Sequence, residues 1–221
     1  MIKLKNNKKT YVALVLDKSG SMETIRDETI SGFNENLQEH RANGRKGGET
    51  FLSLFQFNSA VEETYFNVPI DKIEGELDKE QYVPGGMTAL YDAIGVAVTK
   101  LQKFDQPGDV AFLVIVLSDG MENSSSKYNF LKIKDMRKEL ESTGRWTFQF
   151  IGCDPDAIRA AQGMGLRSHQ FENTPDGVKK LFGQVNYSTQ NYYASREIGA
   201  TSVANFMDTS NTVEPDTSSS S

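Results

Sequence analysis

Short apolar runs alternate with amphipathic stretches along most of this 221-residue chain. The longer apolar runs are rich in β-branched and aromatic residues, a composition that predicts strands buried on both faces. Between them, apolar residues recur at helical spacing with charged residues on the opposite side, which predicts surface helices. The predicted strands of this kind cover 10–17, 110–120, 145–153 and 168–171, and the predicted helices cover about 22–41, 88–101, 127–142, 155–165 and 174–185.

Two further apolar runs, 50–57 and 60–70, are separated by the turn residues Asn58 and Ser59. So short a connection predicts an antiparallel hairpin. The second run carries adjacent acids and a proline, which suit the edge of a sheet. The alternation of strands and helices therefore predicts an α/β fold: a doubly wound, mostly parallel sheet with one antiparallel edge strand and helices on both faces.

Composition divides the chain into three segments. Residues 1–9 contain four lysines and form a predicted basic leader, residues 10–186 form a single predicted domain, and residues 187–221 form a polar tail rich in serine and threonine. We expect the last part of the tail to be disordered, because it has too few apolar residues to form a core. The stretch 196–207 could form a short helix or dock on the domain.

Charge and cysteine content limit the classes of function. The formal net charge is −6, which argues against a duplex nucleic-acid partner. The single cysteine, Cys153, cannot form an intrachain disulfide, and this favours a reducing compartment. The apolar run at 11–16 is too short for a signal peptide, and no run approaches the roughly 18 apolar residues of a membrane span. We therefore expect a cytoplasmic protein without a membrane or nucleic-acid partner.

Oxygen-bearing side chains follow the predicted strands at the points where a sheet binds ligands. Asp17 ends the first strand and Asp119 ends the central one, so neighbouring strands would bring both carboxylates to one crevice. Ser19 and Ser21 alternate with Asp17 and can point the same way in an extended segment. With Thr88, these residues offer five hard oxygen donors, which suit Mg²⁺ or Mn²⁺ in preference to Ca²⁺. Histidine and cysteine are missing from the set, which argues against zinc.

Three segments together resemble a known site. DKSGSM (17–22), GGMTALYDAI (85–94) and SDGMENSS (118–125) resemble the metal-ion-dependent adhesion site of von Willebrand factor A domains, and the resemblance covers about 8–185. It implies a six-stranded sheet ordered 3-2-1-4-5-6 with the metal at its upper edge. It also implies that Ser19, Ser21 and Thr88 are ligands, whereas Asp17 and Asp119 usually act through water and hydrogen bonds.

The resemblance further implies a function. In that family the metal bridges to a glutamate or aspartate of a partner protein, so the chain would be an interaction module and not an enzyme. Single-domain cytoplasmic members from prokaryotes and phages often stand beside AAA-type ATPases or stress-response proteins, and a partner of that kind is therefore expected.

Other residues near these segments have less specific interpretations. Asp92 lies one helical turn after Thr88 and either holds water or the 19–21 loop, or is an exposed helix acid. Asn123 is expected to order the loop after Asp119, and Gly86 to permit a tight turn. His40 is predicted on the polar side of a helix.

Two enzymatic alternatives use the same crevice. Ser19 or Ser21, Asp119 and His169 occur in the chain order of a serine hydrolase, but the G-x-S-x-G nucleophile elbow is missing. A Mg²⁺-dependent phosphate-handling enzyme would need an acidic nucleophile beside a second acid, and hydroxyl residues stand in the neighbouring positions instead. A further alternative is self-assembly, in which the tail offers a carboxylate to a neighbouring copy; its acids are Glu197, Asp208, Glu214 and Asp216.

Overall fold

The structure is a computed structural model that describes residues 8–207. Strands and helices alternate as the hydrophobic pattern predicts. The strands are β1 (Lys9–Asp17), β2 (Glu49–Phe57), β3 (Val61–Pro69), β4 (Val110–Ser118), β5 (Trp146–Gly152) and β6 (Arg167–Gln170), and the helices are α1 (Arg26–Asn43), α2 (Leu90–Leu101), α3 (Phe130–Ser142), α4 (Pro155–Gly163) and α5 (Pro175–Glu197).

All six strands form one sheet in the order β3-β2-β1-β4-β5-β6. β3 runs antiparallel to β2 at one edge, and every other neighbouring pair is parallel. The predicted fold class is therefore confirmed. In the pairing of β1 with β4, Leu16 lies opposite Leu117, so Asp17 and Ser118 leave the sheet at the same level. This register brings the loops after β1 and β4 together at one edge.

Two apolar layers cover the sheet, as the burial of every residue of β4 requires. On one face, α1 and α5 pack against the strands through residues such as Phe33 and Phe182. On the other face, α2, α3 and α4 pack against a row of stacked rings. In that row Phe112 lies between Tyr11 and Trp146, with ring centroids 5.2 and 4.1 Å away. This core holds the strand ends rigidly beneath the loops.

The first helix begins later than predicted. A 3₁₀ segment at Gly20–Ile25 follows β1, and α1 starts only at Arg26. The difference arises because the N–H of Met22 bonds to the carbonyl oxygen of Ser19, three residues earlier. Met22 and Ile25 are buried, so the tighter turn still has an apolar anchor.

α5 extends through the predicted boundary between 186 and 187 and ends at Glu197. Its added turns bury Tyr193 and Arg196, among other residues, against the domain. At the other boundary, Lys9 is already in β1, and the ammonium group of the buried Lys8 donates to the carbonyl oxygen of Arg196 at 2.5 Å. The predicted disordered end of the tail, which includes Asp208, Glu214 and Asp216, lies outside the described residues.

The same extension explains why the prediction for His40 is wrong. His40 is fully buried, and its Nδ1 lies 2.8 Å from the hydroxyl of Tyr193 on α5. The face of α1 that carries His40 is therefore covered by turns of α5 that lie beyond its predicted end at 185. Among the helices within residues 8–207, none has both the length and the apolar character that a membrane crossing requires.

Candidate metal centre

Asp17 ends β1 with both carboxylate oxygens engaged. The N–H of Ser19 donates to its Oδ1 at 2.7 Å, and the hydroxyl of Ser118, at the end of β4, donates to its Oδ2 at 2.5 Å. The buried hydroxyl of Tyr82 donates to the backbone oxygen of Asp17 at 2.5 Å. Asp17 therefore connects the two strand ends and shapes the turn that carries the serines.

Ser19, Ser21 and Asp119 converge above Asp17. The hydroxyl oxygens of Ser19 and Ser21 are 3.3 Å apart, and the hydroxyl of Ser21 donates to Oδ1 of Asp119 at 2.6 Å. Ser19 and Asp119 are buried, whereas Ser21 is exposed. The set is thus open to solvent on one side and fixed by the sheet on the other.

Thr88 faces the same space. A Cβ atom built on Gly120 would lie 3.7 Å from the hydroxyl oxygen of Thr88 and 3.8 Å from that of Ser21, so both hydroxyls flank one small gap. The backbone of Thr88 is held by a reciprocal pair of bonds with Asn123. The N–H of Thr88 donates to Asn123 Oδ1 at 2.8 Å, and the N–H of Asn123 donates to the Thr88 carbonyl oxygen at 3.0 Å. Asn123 thus ties the loop after Asp119 to the segment that carries Thr88.

Gly86 joins the loop of Thr88 to that of the serines. Its φ of +79° is in the left-handed region, and its carbonyl oxygen accepts from the N–H of Gly20 at 3.1 Å. A Cβ at Gly86 would lie 2.9 Å from the hydroxyl oxygen of Ser59, which is too close. A side chain at position 86 would therefore strain the backbone and displace the Ser59 hydroxyl.

Asp92 has a role that differs from both interpretations of its sequence position. It is buried, and it accepts hydrogen bonds from the backbone N–H groups of Ser126, Lys127 and Tyr128 at 3.0, 2.9 and 2.8 Å. Burial alone would raise the pKa of Asp92, but these three donors outweigh it and lower the pKa. Asp92 therefore holds the segment before α3 in place and supports the centre from outside.

Several residues that contact the centre carry no motif that would indicate this from the sequence. Tyr82 and Ser118 bond to Asp17, as described above. The side chain of Asn173, before α5, makes a long hydrogen bond of 3.4 Å to Oδ2 of Asp119, and the thiol of Cys153 donates to its backbone oxygen at 3.1 Å. Ser118 could have been found from its place beside Asp119, whereas the other three are distant in sequence and carry no local signal.

Electrostatics at the centre favour a cation. Burial raises the pKa of Asp17 to about 6 and also raises that of Asp119, while hydrogen bonds from neighbouring hydroxyls oppose the shift in both cases. Burial and the nearby carboxylates raise the pKa of Cys153 to about 11, so this thiol stays protonated at neutral pH. Two buried carboxylates beside each other repel, and a bound cation would relieve that repulsion.

The donor set fits a hard divalent cation. Across residues 8–207, the structure brings together no three His, Cys, Asp or Glu side chains that could hold a metal. The centre instead combines two carboxylates with the hydroxyls of Ser19, Ser21 and Thr88, all oxygen donors of the type that Mg²⁺ and Mn²⁺ accept. It lacks the nitrogen and sulfur donors that a zinc site usually has.

Similarity to solved structures defines the fold as that of a von Willebrand factor A domain, and the sheet order agrees with it. Two solved structures share this fold. VWA2, the ArnB paralog from Sulfolobus acidocaldarius, aligns with a TM-score of 0.50 and 19% identity over 80% of this chain and 44% of VWA2. The von Willebrand factor type A protein from Catenulispora acidiphila aligns with a TM-score of 0.50 and 15% identity over 82% of this chain and 43% of that protein. The pilus adhesin SpaC from Lactobacillus rhamnosus GG also aligns, at TM-score 0.61 and 13% identity over 84% of this chain and 30% of SpaC.

These identities establish the fold alone. The chain spans less than half the length of each of these three proteins. No family model matches the sequence, and no curated protein matches it either.

Proposed function

We propose that this chain is a protein-interaction module that depends on a divalent metal, Mg²⁺ or Mn²⁺. In the proposal, Ser19, Ser21 and Thr88 bind the ion directly, and Asp17 and Asp119 hold it through water and hydrogen bonds. The hydrogen bond from Ser21 to Asp119 is the observation that carries the proposal, because it joins loops 98 residues apart at the edge where the strands end. Bound there, the ion would supply a positive charge facing solvent.

The proposed partner is a protein that presents a glutamate or aspartate. Hydroxyl ligands are neutral, so an ion held mainly by them keeps much of its charge and attracts an external carboxylate. Without the ion, Asp17 and Asp119 would repel that carboxylate, and binding would therefore require the metal. An AAA-type ATPase or a stress-response protein in the cytoplasm is the kind of partner that the sequence resemblance suggests.

The enzymatic alternatives find less support in the geometry. Nε2 of His169 lies 2.9 Å from Oε1 of Gln184 on α5, so this histidine is engaged at the far edge strand β6. A hydrolase would need that ring beside Ser19 or Ser21. For phosphate chemistry, Asp17 or Asp119 would have to act as the nucleophile, and each already accepts a hydrogen bond from a neighbouring hydroxyl, that of Ser118 or that of Ser21.

Direct measurement of Mn²⁺ binding tests the proposal. The electron paramagnetic resonance signal of free Mn²⁺ is followed as protein is added, with and without excess acetate as a surrogate carboxylate. We expect one saturable site in the wild type, tighter with acetate. Asp119→Ala and Thr88→Val should weaken binding at least tenfold, the loss of about 1.4 kcal/mol.

Two matched variants are the controls. Asp135→Ala removes an exposed carboxylate of α3, and Thr99→Val removes an exposed hydroxyl of α2, both away from the centre. Both should bind Mn²⁺ as the wild type does. If the wild type shows no saturable site at millimolar Mn²⁺, even with acetate, or if the controls lose as much affinity as the centre variants, the proposed function is wrong.

A further inference from the structure

Three large apolar side chains stand exposed on the loops around the candidate metal centre. Val83, Met87 and Met121 are 53%, 54% and 49% exposed. Within residues 8–207, the other large apolar side chains exposed to this degree are Leu131, on α3, and Ile198, after α5. Exposed apolar groups that cluster beside a polar site are typical of interaction surfaces, whereas isolated ones are ordinary. We call Val83, Met87 and Met121 the apolar rim.

The backbone beneath the apolar rim is held in place, so its exposure is not that of a loose loop. Met87 directly precedes Thr88, and its N–H donates to the hydroxyl oxygen of Ser59 at 2.9 Å. Met121 directly follows Gly120, beside the gap between the hydroxyls of Thr88 and Ser21. Val83 follows Tyr82, whose hydroxyl bonds to the backbone of Asp17. Each rim residue is therefore a chain neighbour of a residue that lines or contacts the centre.

Three of the charged groups in the same loops are already engaged within the domain. Lys18 pairs with Glu62, and Arg26 donates to the carbonyl oxygen of Tyr82 at 3.0 Å. The carboxylate of Glu122 accepts from the backbone N–H groups of the 124–125 segment and of α2. What these loops offer a partner is consequently an apolar surface around a polar centre.

We infer that the partner segment carries its glutamate or aspartate next to a bulky apolar side chain, which packs on the apolar rim. This inference rests on the proposed function, since the metal places the carboxylate. A carboxylate alone cannot discriminate among partners, because acidic side chains cover most protein surfaces. Burial of apolar area beside it adds both affinity and selectivity. Methionine suits such a surface, because its flexible, polarisable side chain adapts to different apolar shapes.

Selection from a random-peptide display library tests the inference. The full chain is immobilised in Mn²⁺, and bound peptides are eluted with EDTA. We expect the enriched sequences to place Asp or Glu within two positions of Leu, Ile, Phe or Met. In a synthetic copy of one such peptide, replacing the apolar residue with serine should lower affinity about tenfold, as the loss of one buried aliphatic side chain implies.

The complementary variants change the protein. Met87→Ser combined with Met121→Ser should weaken binding of the same peptide at least tenfold and leave Mn²⁺ affinity unchanged. Leu131→Ser, which changes a still more exposed apolar residue on α3, should leave both affinities unchanged. Three results would overturn the inference: acids enriched without apolar neighbours, no enrichment at all, or a Met87→Ser/Met121→Ser protein that binds the peptide like the wild type. If the wild type still binds Mn²⁺, the proposed function stands in each of these cases. Peptides that bind equally in EDTA would also overturn the inference. Failure of the wild type to bind Mn²⁺ would instead overturn the proposed function.

Discussion

Arg196 joins the carboxyl end of α5 to the body of the domain, and its side chain is only 1% exposed. Its guanidinium donates to Thr10 Oγ1 and to the carbonyl oxygen of Lys9, both at 3.1 Å, and to the carbonyl oxygen of Ala200 at 2.6 Å. Nη1 of Arg196 also forms an ion pair with Asp109, since it lies 2.9 Å from Oδ1, but the two groups are not aligned for a hydrogen bond. If residues 187–197 belong to the folded domain, Arg196→Ala must be strongly destabilising.

The expected cost follows from these contacts. Hydrogen bonds from a charged donor contribute about 1.5–3 kcal/mol each, and breaking a buried ion pair costs about 3–5 kcal/mol. The Asp109 side chain is 31% exposed, so water can solvate it after the change, and the lower end of these ranges applies. We therefore expect Arg196→Ala to lower the free energy of unfolding by about 3 kcal/mol.

Urea unfolding followed by circular dichroism measures this change. With a slope of about 2–3 kcal/mol per molar urea, the midpoint should fall by roughly 1 M. Arg159→Ala is the matched control, because Arg159 forms an exposed ion pair with Asp156 within α4, and a pair of that kind contributes about 0–1 kcal/mol. A loss below about 1 kcal/mol for Arg196→Ala, or a loss equal to that of the control, would refute this account of α5.

Two further predictions concern buried polar groups. Burial lowers the pKa of His40 to about 3, whereas its pKa in the unfolded chain is near 6.5. Between these two values the unfolded chain binds more protons than the folded one. The free energy of unfolding of the wild type should therefore fall as the pH drops, by up to about 1.4 kcal/mol per pH unit. Urea unfolding measured from pH 7 to 5 should show a steeper loss of stability with falling pH for the wild type than for His40→Gln. The control His169→Gln should behave like the wild type, and an equal pH dependence of wild type and His40→Gln would contradict the prediction. Asp92→Ala removes the carboxylate that accepts hydrogen bonds from three backbone N–H groups, so it should lower the free energy of unfolding by about 2–3 kcal/mol. Hydrogen exchange of the amides at 126–128 should become faster, and exchange at the wild-type rate would contradict the prediction.

Much of the architecture followed from local patterns. Apolar runs set the strands, helical spacing set most helices, and the convergence of Asp17 with the region of Asp119 follows from parallel strands that end at one edge. The geometry also brings Ser19, Ser21 and Thr88 to this edge. Their role as metal ligands stays a prediction that the Mn²⁺ experiment addresses.

The polar segment at 187–197 shows why composition did not indicate that α5 continues to Glu197. Its buried face includes Ser188, Thr189, Tyr192 and Arg196, which resemble the residues of a solvated tail when they are counted by polarity. Among the described residues, α1 and the amino end of β1 supply hydrogen-bond partners for Thr189 and Arg196, whereas the buried hydroxyls of Ser188 and Tyr192 have none. Asn36 of α1, for example, donates to the hydroxyl of Thr189 at 3.1 Å. Periodicity rules that score only apolar residues cannot detect such a face.

The sequence by itself determined the order of strands and helices and the residues at the strand ends, because both depend on patterns within a few residues. The tertiary structure decided which polar groups are paired. His40 is buried by Tyr193, 153 positions away, Asp17 is held by Ser118 and Tyr82, and α5 is held by Lys8 from 188 positions away. Only the folded chain brings such groups together, because burial makes an unpaired polar group costly and so selects partners across the whole sequence.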